Sequence, residues 1–321
     1  MTSPSAPRGA SWRKRLSRAT PYALYVATWG STLAVGTLFY GEGSIWRGLT
    51  FAAPLMIILT LHELGHYLQL RRYGLRTSPP IFLPAPLPPL GTFGAIIRIS
   101  ERIPDRRALF DVGVSGPLSG LAATLVFLVV GLFFSHAVPE APPIPKGGAL
   151  LFGEPLIVKW FARVILGYRE GWTLLMHPTA VAAWAGLFLT TLNLFPVGQL
   201  DGGHVFYALL RGRAVYAARA AYAVAVVAVV VFQAWRWTLF LVLVAFLRLR
   251  HPATRNDAMP LGVVRTVIGW CALAFLIVGF TPNPIEYVER EDAGSSVETS
   301  IFNPPPRVPA SPRLPFNVGD V

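Results

Sequence analysis

Five consecutive residues, His62-Glu63-Leu64-Gly65-His66, carry the densest chemistry in this sequence. On a helix, residues four apart share a face, so both imidazoles can reach one ion. Glu63 projects close by, where it can take a proton from a water whose pKa zinc has lowered towards neutrality. The pattern is the H-E-x-x-H of zinc hydrolases, and by itself so short a pattern also arises by chance. The bland alternative is two satisfied histidines and a snorkelling glutamate. It has to account for three ionisable residues in one apolar run, where each is expensive without a partner or a wet cavity.

A catalytic zinc takes three protein ligands and keeps one position open. The candidate third ligand is Asp201, in Asn193-Leu-Phe-Pro-Val-Gly-Gln-Leu-Asp-Gly-Gly203. Pro196, Gly198, Gly202 and Gly203 break the helix around a carboxylate at the end of an apolar run, and an unwound segment can turn Asp201 towards an ion. Taken alone, Asp-Gly-Gly is more often a turn. Two histidines and a carboxylate also suit Fe(II), but a glutamate beside the water favours hydrolysis and hence Zn2+, one ion per chain.

The elements that must position these residues read as membrane spans. The 321 residues carry only 14% charge, against about 25% in soluble proteins, and the mean hydropathy is +0.51. Apolar runs lie at about 21–40, 49–70, 109–134, 177–196, 214–234 and 264–281, with a shorter one at 237–247. Several approach the ~20 residues that cross a hydrocarbon core. The first run follows Arg13, Lys14, Arg15 and Arg18 but ends in Gly-Thr-Leu-Phe-Tyr without a small-residue cleavage site, so it reads as a retained span. The expected fold is an all-α polytopic membrane protein of about six to seven transmembrane helices with a membrane-re-entrant β-hairpin. Its parts are a basic cytoplasmic N-terminus (1–20), a transmembrane domain (21–281) and a disordered tail (282–321).

The net charge of +12 does not point to nucleic acid. The arginines sit in short clusters beside apolar runs, which is how membrane proteins fix topology. They are abundant at the N-terminus and in the 71–108 and 248–265 loops, which predicts a multi-pass protein of the cell membrane with N-terminus and active-site side cytoplasmic. Cys271 is the single cysteine and lies in an apolar run, so it reads as a packing residue and no disulfide framework exists. The sequence specifies no oligomeric state.

Residues 77–100 differ in kind. Pro79, Pro80, Pro84, Pro86, Pro88 and Pro89 forbid a helix, and Gly91-Thr92-Phe93-Gly94 leads into the β-like run Ala95–Ile99. Two strands about a glycine turn fit. The segment is either a re-entrant hairpin lining a cavity, where non-helical backbone is tolerated, or a surface proline loop. Leu156–Leu166 reads as an interfacial helix. Trp235 and Trp237 read as an aromatic belt, while His136, His177 and His251 read as residues of connections or interfaces.

The pairing of H-E-x-x-H with N-x-x-P-x-x-x-L-D-G resembles the site-2 protease family of intramembrane metalloproteases. Gly91-Thr-Phe-Gly-Ala95 and Asn193–Gly203 are most similar to its bacterial and chloroplast branch, and the likeness spans roughly residues 55–280. The resemblance implies His62, His66 and Asp201 as zinc ligands and Glu63 as catalytic base. It implies Asn193 as a substrate-positioning or oxyanion group, and the Gly91–Ile99 stretch as a hairpin that pairs with an unwound substrate strand. It also implies a single-span membrane-protein substrate in the lipid bilayer. Asp111 and Gly116-Pro117 look similar to the family as well, with Asp111 expected to cap the third span or hold the hairpin. His204 follows Asp201 either as a group supporting the site or as a polar residue at a helix start. Two other classes remain open on the residues alone: a different membrane metallohydrolase, and a non-enzymatic metal-handling or transport protein. A compact polar cluster with a general base and no inverted repeat fits those less well.

Overall fold

The computed structural model describes residues 9–143, 149–246 and 254–288, with side chains from residue 19 onward. The expectations for the basic side chains at 13–18, for His251 and for the tail from 289 lie outside the described residues.

The chain begins with α1 (Gly9–Val35), whose last turn widens over Gly36–Tyr40, and continues with α2 (Ile45–Arg72). Two short strands follow, β1 (Ile81–Pro84) and β2 (Thr92–Ile96), then the long α3 (Arg106–Phe133). The connection after α3 holds β3 (His136–Val138), β4 (Ala149–Phe152), α4 (Leu156–Leu166) and β5 (Thr173–Leu175). Next come α5 (Pro178–Asn193), α6 (Asp201–Leu210), α7 (Ala214–Val231), α8 (Thr238–Phe246), α9 (Val263–Gly279) and β6 (Ile285–Val288).

Among the described residues, three helices are long and apolar enough to cross a membrane: Ile45–Arg72, Arg106–Phe133 and the joined Asp201–Val231. The apolar runs Trp235–Phe246 and Val263–Gly279 are shorter. The expected span at 177–196 is a helix of 16 residues, about 24 Å at 1.5 Å per residue, short of a hydrocarbon core of about 30 Å. Pro196 and Gly198 follow Asn193 and end the helix, and residues 180–187 are buried, so α5 packs among its neighbouring helices.

The architecture is mostly helical, but not all-α. Three antiparallel strand pairs occur, β1 with β2, β3 with β5, and β4 with β6. The last corrects the boundary of the expected disordered tail, because Ile285–Val288 pairs residue for residue with Ala149–Phe152. The pair is anchored by indoles: Trp184 Nε1 donates to Gly153 O at 2.6 Å, and Trp237 Nε1 donates to Pro282 O at 2.7 Å. Trp237 is therefore buried, whereas Trp235 is exposed. Cys271 is exposed too, not packed.

The centre of the molecule is the trio α2, α3 and α5, which meet through small residues. A Cβ on Gly186 would sit 2.7 Å from Thr124 Oγ1 and 2.9 Å from Ile58 Cγ2, and one on Gly131 would collide with the Ala180 backbone. Small residues are what let helix backbones approach when lipid removes the hydrophobic drive between helices. Hydroxyls then reach across: Ser119 donates to Leu61 O at 2.9 Å and Thr179 to Thr50 O at 2.8 Å. Outside the trio, Tyr168 fastens the end of α4 by donating to Glu154 at 2.6 Å. Burial, with the adjacent carboxylate, pushes that phenol above its ordinary pKa.

The expected hairpin is present as the β1–β2 pair, with Ile81 opposite Ile96, Phe82 opposite Ala95 and an irregular step before Pro84 opposite Thr92. It leans on α1. Ser31 Oγ donates to Gly91 O at 2.7 Å, Tyr40 OH donates to Pro89 O at 2.9 Å, and Phe82 packs edge-on to Tyr25. Gly91 has φ +79° and touches the Thr32 backbone, so both its conformation and its lack of a side chain are required there.

Candidate metal centre

His62 and His66 project from one face of α2, one turn apart, and both are buried. Asp201 arrives from the other half of the sequence as the first residue of α6. Its placement depends on the broken segment before it. After α5 ends, Gly198 adopts φ +59° and the chain folds back so that Gly202 abuts Leu194 O and Gly203 abuts Gly198 O and Val197 O. No side chain fits at either glycine. The Asp-Gly-Gly triplet is thus a helix start pressed onto its own linker, a stronger constraint than a turn.

His66 Nε2 lies 3.2 Å from His62 Nε2 and 3.2 Å from Asp201 Oδ2, and His62 Nε2 lies 3.3 Å from the same oxygen. A tetrahedral zinc with bonds of about 2.0–2.1 Å has ligand atoms about 3.3–3.4 Å apart. The three donors therefore already stand at the corners of one face of such a site, and their N, N, O composition suits zinc. His66 Nδ1 is 2.8 Å from Val112 O. A proton on Nδ1 donated to that carbonyl leaves Nε2 bare and aimed at the cluster, the usual way a ligating imidazole is oriented.

The helix α3 forms the floor beneath both rings. A Cβ on Gly116 would fall within the space of Nε2, Cε1 and Cδ2 of His66, and one on Gly120 would stand 3.0 Å from His62 Cβ and 3.1 Å from Nδ1. Gly113, one turn earlier, plays the same part against His204 Cβ and Asp201 O. Gly116 and Gly120 thus repeat on α3 the four-residue step of the two histidines on α2.

Of the other residues expected at the site, Asn193 is close, with Nδ2 at 3.4 Å from His62 Nε2. Glu63 is half-buried and within electrostatic reach of His62, His66 and Asp201. Gly91, Thr92, Phe93 and Gly94 are not part of the cluster; they belong to the hairpin docked on α1, where Phe93 is exposed. His204 also stays out of the ligand group. His177 instead caps α5, its Nδ1 accepting from Thr179 N at 3.3 Å, and His136 begins β3. Asp111 does neither thing expected of it. The cap of α3 is Asp105, whose Oδ1 accepts from Ala108 N, and Asp111 instead binds Arg265 and Tyr73. An apolar cavity of about 400 Å³ lies elsewhere, among α5, α7 and α8, lined by residues such as Thr191, Phe195, Trp237 and Phe240 and by none of His62, His66 and Asp201.

Sequence reasoning missed the Val112 carbonyl and Gly120. A carbonyl has no sequence signature. The glycines did have one, in the small-residue spacing Gly113, Gly116 and Gly120, which matches a helix face.

Comparison with known proteins agrees with the geometry. The probable zinc metalloprotease EGY1, chloroplastic, of Oryza sativa subsp. japonica is 36% identical over 157 residues, 48% of this chain and 27% of the relative. The EGY1 of Arabidopsis thaliana is 36% identical over 157 residues, covering 48% and 28%. The probable zinc metalloprotease EGY2, chloroplastic, of Arabidopsis thaliana is 33% identical over 168 residues, covering 50% and 29%. The matched stretches thus span less than a third of the length of these relatives. The sequence pattern of peptidase family M50 matches residues 50–234, a stretch that contains all three members of the cluster. With helices able to cross a membrane and a metal-binding group at their centre, this chain belongs to peptidase family M50, the site-2 protease family.

Proposed function

We propose that this chain is an intramembrane zinc metalloprotease that hydrolyses peptide bonds in or beside the transmembrane segments of membrane proteins. The observation that carries the reading is the triangle of His62, His66 and Asp201 donors with 3.2–3.3 Å sides beside Glu63. Family membership and relatives named as probable zinc metalloproteases support it.

His62, His66 and Asp201 hold the ion. A zinc ion held there would supply Lewis acidity towards a peptide carbonyl and would lower the pKa of water towards neutrality. Glu63 takes the proton of the attacking water and delivers it to the leaving amine. Asn193 donates to the carbonyl oxygen as charge grows on it, a role supported by its amide lying 3.4 Å from His62 Nε2. Val112 and the α3 glycines keep the His66 ring fixed throughout, so little reorganisation accompanies the chemistry.

The substrate is a single-span membrane protein with a helix-weakening segment, since a hydrogen-bonded helix hides its carbonyls. The β1–β2 hairpin, entering the membrane from one side, pairs with that unwound strand. The chain crosses the cell membrane six or seven times with its N-terminus and the active-site side in the cytoplasm, as the arginine distribution favours.

The test is cleavage of a model single-span substrate by purified protein, beside Glu63→Gln, with metal determined on both. Cleavage by the parent, a loss of about 10²–10⁴-fold in the variant and one zinc in each is the expected result. Equal cleavage by parent and Glu63→Gln rules out Glu63 as the base. Absence of zinc from both removes the metal chemistry altogether.

A further inference from the structure

Asp111 and Arg265 form a charged pair between α3 and α9, and the mechanism above uses neither. The Asp111 carboxylate accepts from Arg265 Nε at 2.7 Å and from Arg265 Nη2 at 2.9 Å, a two-pronged contact, and from Tyr73 OH at 2.6 Å. A paired guanidinium fork is the most directional ionic contact available to a protein. It joins three elements: Tyr73 closes α2 seven residues after His66, Asp111 lies on α3, and Arg265 lies on α9.

The next residue after Asp111 is Val112, whose carbonyl receives His66 Nδ1. The residue before it, Phe110, packs against Gly269 of α9, where a Cβ would stand 2.8 Å from the phenyl ring. One turn of α3 is thus gripped by α9 through Phe110 and Asp111 while it presents the acceptor that orients a cluster imidazole. Helix α9 lies beyond residue 234, where the match to the family pattern stops.

We infer that Asp111, Arg265 and Tyr73 are positioning residues for the metal centre, a latch by which α9 fixes the height of Val112 O and so the ring of His66. The inference rests on the metal-centre reading. The latch touches neither metal nor substrate, and acts only through the α3 backbone. A purely structural ion pair would contribute to stability and leave the folded site's affinity alone.

The experiment measures zinc affinity of purified protein by chelator competition, and the visible absorption of the cobalt(II)-substituted protein, which reports ligand geometry. The variants are Asp111→Asn, Arg265→Lys and Tyr73→Phe. As a control, Arg236→Gln removes a remote exposed ion pair with Glu286. Supporting contacts around metal ligands are worth about 10–100-fold in affinity. We expect about tenfold weaker zinc binding for Asp111→Asn, a smaller loss for Arg265→Lys and the smallest for Tyr73→Phe, each with an altered cobalt spectrum. Arg236→Gln should match the parent. If Asp111→Asn does not fold, the two milder variants decide. Parental affinity and spectrum in the folded latch variants, whatever their stability, overturn the inference while leaving the metal centre intact. A parent that binds neither zinc nor cobalt overturns the metal-centre reading, and the latch with it.

Discussion

Replacing Gly116 by alanine adds one methyl group where three ring atoms of His66 already lie. Something has to move, and the backbone of α3 is packed against α2, α5 and α6. The ring is the mobile partner. Without metal, His66 can tilt away. With metal bound, its Nε2 is committed to the ion and its Nδ1 to Val112 O, so the strain falls on the loaded state. Overpacking of this kind costs about 1–3 kcal/mol, which at 1.4 kcal/mol per tenfold is a loss of roughly 5–150-fold in zinc affinity. The gain of alanine over glycine in helix propensity, about 1 kcal/mol, accrues with or without metal and cancels from the affinity. Two comparisons calibrate the result. Gly120→Ala meets His62 Cβ at 3.0 Å and Nδ1 at 3.1 Å, which a shift of a few tenths of an ångström relieves, so its loss should be at most a few-fold. Gly30→Ala meets nothing within 4 Å and should bind zinc like the parent. The assay is chelator competition on the three purified variants, with thermal unfolding of each in parallel. Parental zinc affinity in a folded Gly116→Ala protein would refute the argument that α3 serves as a floor fitted to the histidines.

Removing zinc with a strong chelator should lower the unfolding temperature, and the loss should shrink as free zinc is raised, because a ligand bound only by the native state stabilises by mass action. Asp201→Ala should lower the unfolding temperature too and leave it insensitive to the chelator. Trp184→Phe strips the indole donor from Gly153 O and strands a carbonyl beside the core, so a destabilisation of about 1–3 kcal/mol is expected in denaturant or thermal titration. Arg106→Met removes the guanidinium that caps Ala208 O and Leu209 O at the end of α6. It should destabilise by a similar amount and loosen the far end of the helix that begins with Asp201. An unchanged unfolding midpoint in either variant would show that water replaces the lost donor.

The meeting of His62, His66 and Asp201 was legible in the sequence because their spacing obeys simple rules. Two histidines four apart must share a helix face, and Pro196, Gly198, Gly202 and Gly203 can hardly surround Asp201 without unwinding the chain there. The hairpin was legible for the related reason that prolines exclude helix and a glycine pair permits a turn. What escaped notice depends on three-dimensional juxtaposition. Asp111 looked like a cap because it opens an apolar run, yet the residue with extended backbone and a free oxygen at the right height is Asp105, six positions earlier. The pairing of Ile285–Val288 with Ala149–Phe152 joins segments more than 130 residues apart, and no local pattern announces such a partner. Helix α5 is apolar in composition, and apolarity alone does not tell which neighbouring helices bury it.

The two histidines and the aspartate are separated by 135 residues of chain, and this separation has a consequence for biogenesis. While the first half of the polypeptide is being inserted, α2 carries two imidazoles and a glutamate but nothing to complete their coordination. A strong metal trap forms only once the seven-residue elbow ahead of Asp201 has been made and α6 has docked. The ion, when captured, closes a loop of more than a hundred residues, so its binding energy is spent in part on joining the two halves of the molecule. Metallation is in that sense a checkpoint on assembly, because a chain interrupted before Asp201 lacks one of the three groups of the cluster.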